Sequence, residues 1–297
     1  MPRKQSYESH PEVQRWLSAQ AREYDLTPDS FQPTFLASRR DGDWILSSLA
    51  VFYQQHLIVD VLSQASSGKE ATVYCCLAHP DAGGGLLAAK VYRPRMFRSL
   101  RNDAIYRDGR TQRDERGRPV HDERGRRSAT SASARGRRMQ VEHWIRHEYA
   151  IQQRIAAAGA AVPQPISQIG NAVLMEYIGD GDGPAPRLSD LRPAPAEAHE
   201  LFESLLVDLA IMLGQDVIHG DLSAYNILYH QGDAIVIDFA QAVNPRQSDA
   251  AYALLERDVD RLCRYFGRAG VRADAAALTA DLWSRYLAGQ LSDLEDR

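Results

Sequence analysis

Hydrophobic and polar positions follow two rhythms along this chain. Strand-like alternation dominates from about residue 57 to 176, and helical spacing dominates on either side of it. Pro11-Glu12-Val13-Gln14-Arg15-Trp16-Leu17 predicts a helix with proline in its first turn, and Asp43-Trp44 through His56 predicts a second with one apolar face. Leu57 to Ser63 alternates as a strand, and Ala71 to Leu77 is its antiparallel return. Leu86 to Tyr92 follows as a third strand after the glycine run Gly83-Gly84-Gly85. A helix is expected from about Val141 to Ala158, with Gly159 as its left-handed cap. Two further strands, Ile166–Ile169 and Ala172–Glu176, complete a five-stranded set. The rest is mostly helical: Pro195 to Leu213, Tyr252 to Phe266 and Ala275 to Leu287. An apolar hairpin from Ile227 to Ile237 interrupts it.

Charge changes this picture in one place. The whole chain of 297 residues has a net charge of −4, yet Arg93 to Arg138 holds 15 Arg and no Lys against 6 acids. That local excess of +9 leaves −13 for the remainder. The stretch has little apolar periodicity and includes Ser128-Ala129-Thr130-Ser131-Ala132-Ser133-Ala134, so it is expected to be flexible or ordered only on binding. No apolar run is long enough to cross a bilayer, and Met1 to Ser6 lacks the apolar core of a secretion signal. Three cysteines show neither a disulfide framework nor metal-ligand spacing. A cytoplasmic protein with no membrane partner is the expectation.

The candidate chemistry centres on His219-Gly220-Asp221-Leu222-Ser223-Ala224-Tyr225-Asn226, followed by the hairpin and Asp238. An Asp, an Asn five residues on, and a second Asp beyond the next strand pair are the residue types that kinase-like phosphoryl transfer requires. Asp221 would face the attacking hydroxyl. Asn226 and Asp238 would hold the divalent ion of a nucleoside triphosphate, Mg²⁺ first and Mn²⁺ as the alternative. His219 is expected to be structural. Gly220 stands where most protein kinases carry an Arg that docks a phosphorylated activation segment, which argues against that mode of control.

Four other sites complete the constellation. Lys90, flanked by Ala89 and Val91, is costly to bury without an anionic partner, and the α/β-phosphates of ATP would supply one. Its helical acid is Glu148, preferred over Glu142. Ser66-Ser67-Gly68-Lys69 lies between the first two strands, where hydroxyls and backbone N–H groups can donate to phosphate oxygens. It lacks the full glycine triplet, which suggests a stiffer loop. Met175-Glu176-Tyr177-Ile178 would form the hinge: the Glu176 carbonyl and Ile178 N–H on adenine, Met175 lining the pocket.

These passages resemble the RIO family of atypical serine/threonine protein kinases. Ser67-Gly68-Lys69-Glu70-Ala71-Thr72-Val73-Tyr74, Pro184-Ala185-Pro186-Arg187-Leu188, Ile218 to Leu228 and Val236 to Gln241 carry the likeness, over about residues 57–268. The resemblance implies an α+β, two-lobed protein-kinase-like fold: a small antiparallel β-sheet N-lobe (57–176, with 93–138 as an insertion) and a mostly helical C-lobe (177–297). Residues 1–56 would form a helical extension packed on it. It assigns Lys90, Glu148, Asp221, Asn226 and Asp238 the roles given above, and ATP as cofactor. It also implies phosphorylation of serine, including the protein's own, and in some members ATPase action in ribosome assembly, for which a phosphorylated Asp238 is the candidate intermediate.

Two other readings stay open at this point. A small-molecule phosphotransferase of the aminoglycoside or choline kind shares His-Gly-Asp, the later Asn and Ile-Asp-Phe. An ATP-switched assembly factor would bind RNA or a ribosomal particle through 93–138, where arginines can pair with phosphates. The partner is otherwise a protein substrate or the chain itself.

Overall fold

Alternation between buried and exposed positions builds a five-stranded antiparallel sheet in the order β1-β2-β3-β5-β4. Its strands are β1 (Ile58–Ser67), β2 (Ala71–Ala78), β3 (Leu86–Tyr92), β4 (Pro165–Ile169) and β5 (Ala172–Glu176). The computed structural model describes residues 31–35, 42–68, 70–93 and 134–291, together with Gln14, Arg15 and Ser18, which are helical. Most of the Arg-rich segment, 94–133, lies outside the described residues, as does Lys69. Among the described residues the chain divides into two compact units. One holds those up to 93, 134–146 and 165–177; the other holds 147–164 and 178–291.

In the first unit, helix α1 (Gly42–Gln54) lays Trp44, Ile45, Leu49 and Phe52 against β1 and β3. A buried polar contact fixes that docking: Asn171, in the β4–β5 turn, donates to Ser48 Oγ (2.9 Å) and to the Tyr92 carbonyl (3.3 Å). Phe35 N–H adds to the edge strand through the Val61 carbonyl at 2.9 Å. Helix α2 (Ala134–Ala157) begins well before the expected start near Val141, inside the stretch expected to be irregular. Trp144 packs edge-on against Tyr92 at 5.2 Å between centroids.

β1 also runs longer than alternation suggested. Ser66 and Ser67 pair with Val73 and Thr72, so the connection shrinks to Gly68-Lys69-Glu70. The added positions, Gln64 to Ser67, are mostly polar and none is buried, and the β1–β2 register shifts three times, which hides the strand from a period-two reading.

The second unit has its own core. Helix α3 (Pro195–Gly214) contributes Leu201, Phe202, Leu205 and Leu209, and helix α4 (Ala251–Gly267) contributes Leu254, Leu255, Val259 and Leu262. Helix α5 (Ala275–Ala288) closes it with Leu282. Asp274 caps α5 by accepting the Ala276 and Ala277 N–H groups. Two small ladders, β6 (Gly179–Asp180) with β7 (Gly183–Pro184) and β8 (Ile227–His230) with β9 (Asp233–Val236), complete the unit. The β8–β9 turn is two residues, Gln231 and Gly232, both at positive φ (54° and 98°). Those are the dihedrals a right-twisted hairpin demands. Among the described residues no helix is long and apolar enough to cross a membrane.

Candidate active site

The loop from His219 to Asn226 is held in shape by side chains on either side of it. Gly220 adopts φ +76°, a left-handed conformation that only glycine enters without strain, and this turns Asp221 outward. Behind the turn, buried Asp258 on α4 accepts the Gly220 N–H at Oδ2 (2.7 Å) and the Leu222 N–H at Oδ1 (3.0 Å). Arg257 donates to the Gly220 carbonyl. Burial pushes the Asp258 carboxyl up to about 7, and the two N–H donors with Arg257 and Arg261 pull the other way. His219, also buried, accepts the Asp221 N–H at Nδ1 (3.2 Å). Its proton therefore sits on Nε2, which donates to the Ile237 carbonyl at 3.1 Å. This is the structural role expected for it.

The same contacts bring the proposed metal ligands together. Ile237 N–H donates to the Asn226 carbonyl (2.9 Å), extending the β8–β9 ladder by one step and setting Asp238 beside Asn226. Asp238 stands at φ +71°, one of four non-glycine residues at positive φ among those described. Such strain persists only where neighbours impose it, and it clusters at functional sites. The Asn226 side-chain amide donates to the Asp221 carbonyl (2.9 Å) and to Asp221 Oδ2 (3.3 Å), which turns its oxygen the other way. An amide oxygen and a carboxylate are the hard donors that Mg²⁺ takes, so the residues fit that ion. Asp221 Oδ1 accepts from Arg261 Nη1 at 2.7 Å. The sequence did not point to that partner, which lies forty residues further on.

In the other unit, Lys90 sits on the central strand of the sheet, opposite Val73 and Val173, with its ammonium 5.3 Å from the Tyr92 ring centroid. Glu148 is buried on α2 and belongs to the second unit, whereas Glu142 belongs to the first. Met175 and Glu176 end β5, paired with Ala88 and Leu87. Ile178 begins the longer stretch of the second unit, its carbonyl accepting the Ala185 N–H at 3.0 Å.

Gly68 N–H closes the hairpin tip on the Ala71 carbonyl (2.9 Å). Arg93 then binds the tip from its backbone to the Glu70 carbonyl (2.7 Å) and from its guanidinium to Ser67 Oγ (2.6 Å) and Thr72 Oγ1 (2.7 and 2.9 Å). Ser67, Thr72 and Val91 are cross-strand partners and share one face of the sheet. Lys90 and Val73 take the other, so the clamp braces the tip from the face opposite Lys90.

Outside these sites, His56, His79 and Asp81 gather within metal-ligand reach. His79 Nδ1 is already engaged with the Asp81 N–H (3.1 Å), capping the short turn Pro80–Ala82.

Comparison with known proteins places the chain in a family. A family model described as the RIO domain matches residues 101–278, which includes Glu148, the hinge and the whole Asp221–Asp238 set but begins after Lys90. The RIO-type serine/threonine-protein kinase Rio1 of Haloferax volcanii is 33% identical over 216 residues, 72% of this chain and 65% of that protein. Its namesake in Thermoplasma acidophilum is 34% identical over 135 residues, 45% of this chain and 69% of the relative. This chain therefore spans just under two thirds of the Haloferax protein's length. Among solved structures, the Rio2 kinase ADP/Mg²⁺-phosphoaspartate complex from Chaetomium thermophilum has a TM-score of 0.54 at 18% identity. The match covers 90% of this chain and 75% of that one. The fold is accordingly the α+β, protein-kinase-like one.

Proposed function

Because this chain belongs to the RIO-domain family, we propose that it is an ATP-dependent serine/threonine protein kinase that transfers the γ-phosphoryl group to hydroxyls, its own among them. One observation supports the reading: Asn226 donates to Asp221 on a loop whose backbone is fixed by His219 and Asp258, and the N–H of Ile237, next to Asp238, bonds the Asn226 carbonyl. Asp221 orients the acceptor hydroxyl, and Asn226 and Asp238 hold the divalent ion. When bound, that ion neutralises the triphosphate. Lys90 takes the α/β-phosphates with Glu148 as its acid, and the hairpin tip (Ser66, Ser67, Gly68, Lys69) with Met175, Glu176 and Ile178 takes the rest of the nucleotide. The relatives reported above are RIO-type kinases, which does not favour the alternative of a small-molecule phosphotransferase.

The test is incubation with labelled ATP and Mg²⁺, followed by mass-spectrometric mapping of phosphate on the protein and on casein-like acceptors. Acid-stable, hydroxylamine-resistant phosphoserine or phosphothreonine is expected in the wild type and absent from Lys90→Ala. Phosphate that hydroxylamine removes, mapped to Asp238, would instead assign the ATPase route through an acyl phosphate, the chemistry named for the Rio2 neighbour. Label on neither protein nor acceptor sinks the kinase assignment.

The arginine excess of 93–138 supports an RNA partner, consistent with a cytoplasmic assembly role. RNA affinity should fall steeply as salt rises and vanish on deleting residues 107–138. A flat salt response removes that partner.

A further inference from the structure

The loop that carries the proposed base contains no cation of its own: His219 to Asn226 holds neither Lys nor Arg. Phosphoryl transfer spreads negative charge over the moving group, and a positive group placed in advance is the usual means of stabilising it. Helix α4 supplies one. Arg261 Nη1 donates to Asp221 Oδ1 at 2.7 Å, and this guanidinium lies one helical turn beyond Arg257 and Asp258, which fix the loop's backbone. The side chains of Arg261 and Asp221 are 36% and 48% exposed, so the pair is open to an incoming reactant rather than sealed in the core.

We propose that Arg261 is a further catalytic residue of the reaction assigned above, a guanidinium delivered from α4 that orients Asp221 and meets the oxygens of the phosphoryl group in transfer. With Oδ1 on Arg261 and Oδ2 beside Asn226, the Asp221 carboxylate is fixed about its own axis. Guanidinium is planar and forked, so a donor spent on Asp221 leaves others aimed outward in the same plane. Held in this way, Asp221 keeps the acceptor hydroxyl in line with the phosphorus, which suits a loose transition state. The hydroxyl oxygen forms the new bond to the γ-phosphorus. The bond from that phosphorus to the β,γ-bridging oxygen breaks, and its electron pair leaves on the nucleoside diphosphate. The hydroxyl proton passes to Asp221, while Arg261 stays protonated throughout.

The inference rests on the kinase reading, and the test separates the two. Steady-state ATP turnover and acceptor phosphorylation are measured for wild type, Arg261→Ala and Arg261→Lys, with thermal unfolding recorded for each. Arg261→Ala is expected to lower kcat roughly 100-fold while the KM for ATP stays within about threefold. Arg261→Lys should recover part of that loss by restoring charge without the fork. Added guanidinium at low millimolar concentration should raise the turnover of Arg261→Ala and leave wild type unchanged. A kcat for Arg261→Ala within about threefold of wild type overturns the proposal. So does a loss that tracks a lowered unfolding temperature and responds to neither Lys nor guanidinium. Wild type that turns over no ATP overturns the kinase reading together with this one, whereas active wild type with an undiminished Arg261→Ala overturns this one alone.

Discussion

Asp238→Asn is expected to lower Mg²⁺-dependent ATP turnover by roughly three orders of magnitude while the protein remains folded. Asparagine is chosen because the backbone at this position is left-handed, φ +71°, and Asn tolerates that region where most side chains do not. The exchange removes the charge that would hold the ion and keeps the side chain's size and shape. Asp238→Ala should lose as much activity and also unfold more readily, by about 1 kcal/mol, because alanine meets the strain without a polar side chain to satisfy locally. Phosphate release at saturating ATP, with thermal unfolding of both variants, makes the comparison. Turnover of Asp238→Asn within about tenfold of wild type would strip this residue of its role as metal ligand.

The second large effect belongs to a residue that touches no reactant. Asp258→Ala removes the acceptor for two buried N–H groups, those of Gly220 and Leu222. Each donor left dry costs on the order of 1–3 kcal/mol, so a loss of about 3–5 kcal/mol is expected. That is a large share of the stability of an ordinary domain. Denaturant unfolding should show it as a lower midpoint. Turnover should fall with it, since the same two bonds fix the direction in which Asp221 points. Asp258→Asn should be intermediate, because one of its two side-chain ends still accepts. An Asp258→Ala protein as stable as wild type would show that the loop keeps its form without this anchor.

Much of this site was legible in the sequence because its elements are short and strongly patterned. The hairpin between Asn226 and Asp238 has an apolar run on each side of Gln231-Gly232, so chain reversal and the approach of the second Asp followed directly. The third strand ran from Leu86 to Tyr92 as its alternation implied, which placed Lys90 on a rigid central strand. What escaped was non-local or unpatterned. Asp258 and Arg261 lie 36 and 40 residues from their loop partners; Glu256 to Asp260 resembles the family's late helix, but that likeness gave Asp258 no role, and Arg261 reads as an exposed charge of an amphipathic helix. Arg93 looked like the first member of a basic run, yet its guanidinium belongs to the hairpin tip. The last residues of β1 are mostly polar and none is buried, and bulges disturb their register, so hydrophobic alternation carried no trace of them. The early turns of α2 include Gly136 and several arginines, a composition that reads as coil until Trp144 and Ile145 supply an apolar face.

Gly220 has a consequence for how such a protein can be governed. Any side chain at φ +76° pays about 1–2 kcal/mol to stand there, and the N–H and carbonyl at this residue are already spoken for by Asp258 and Arg257. Acquiring an arginine at this spot, and with it an on-switch operated by a distant phosphate, would mean remaking the bend rather than swapping one residue. The evolutionary path to that kind of regulation therefore starts uphill, and inputs that act on the nucleotide or on the acceptor are the cheaper way to set the rate.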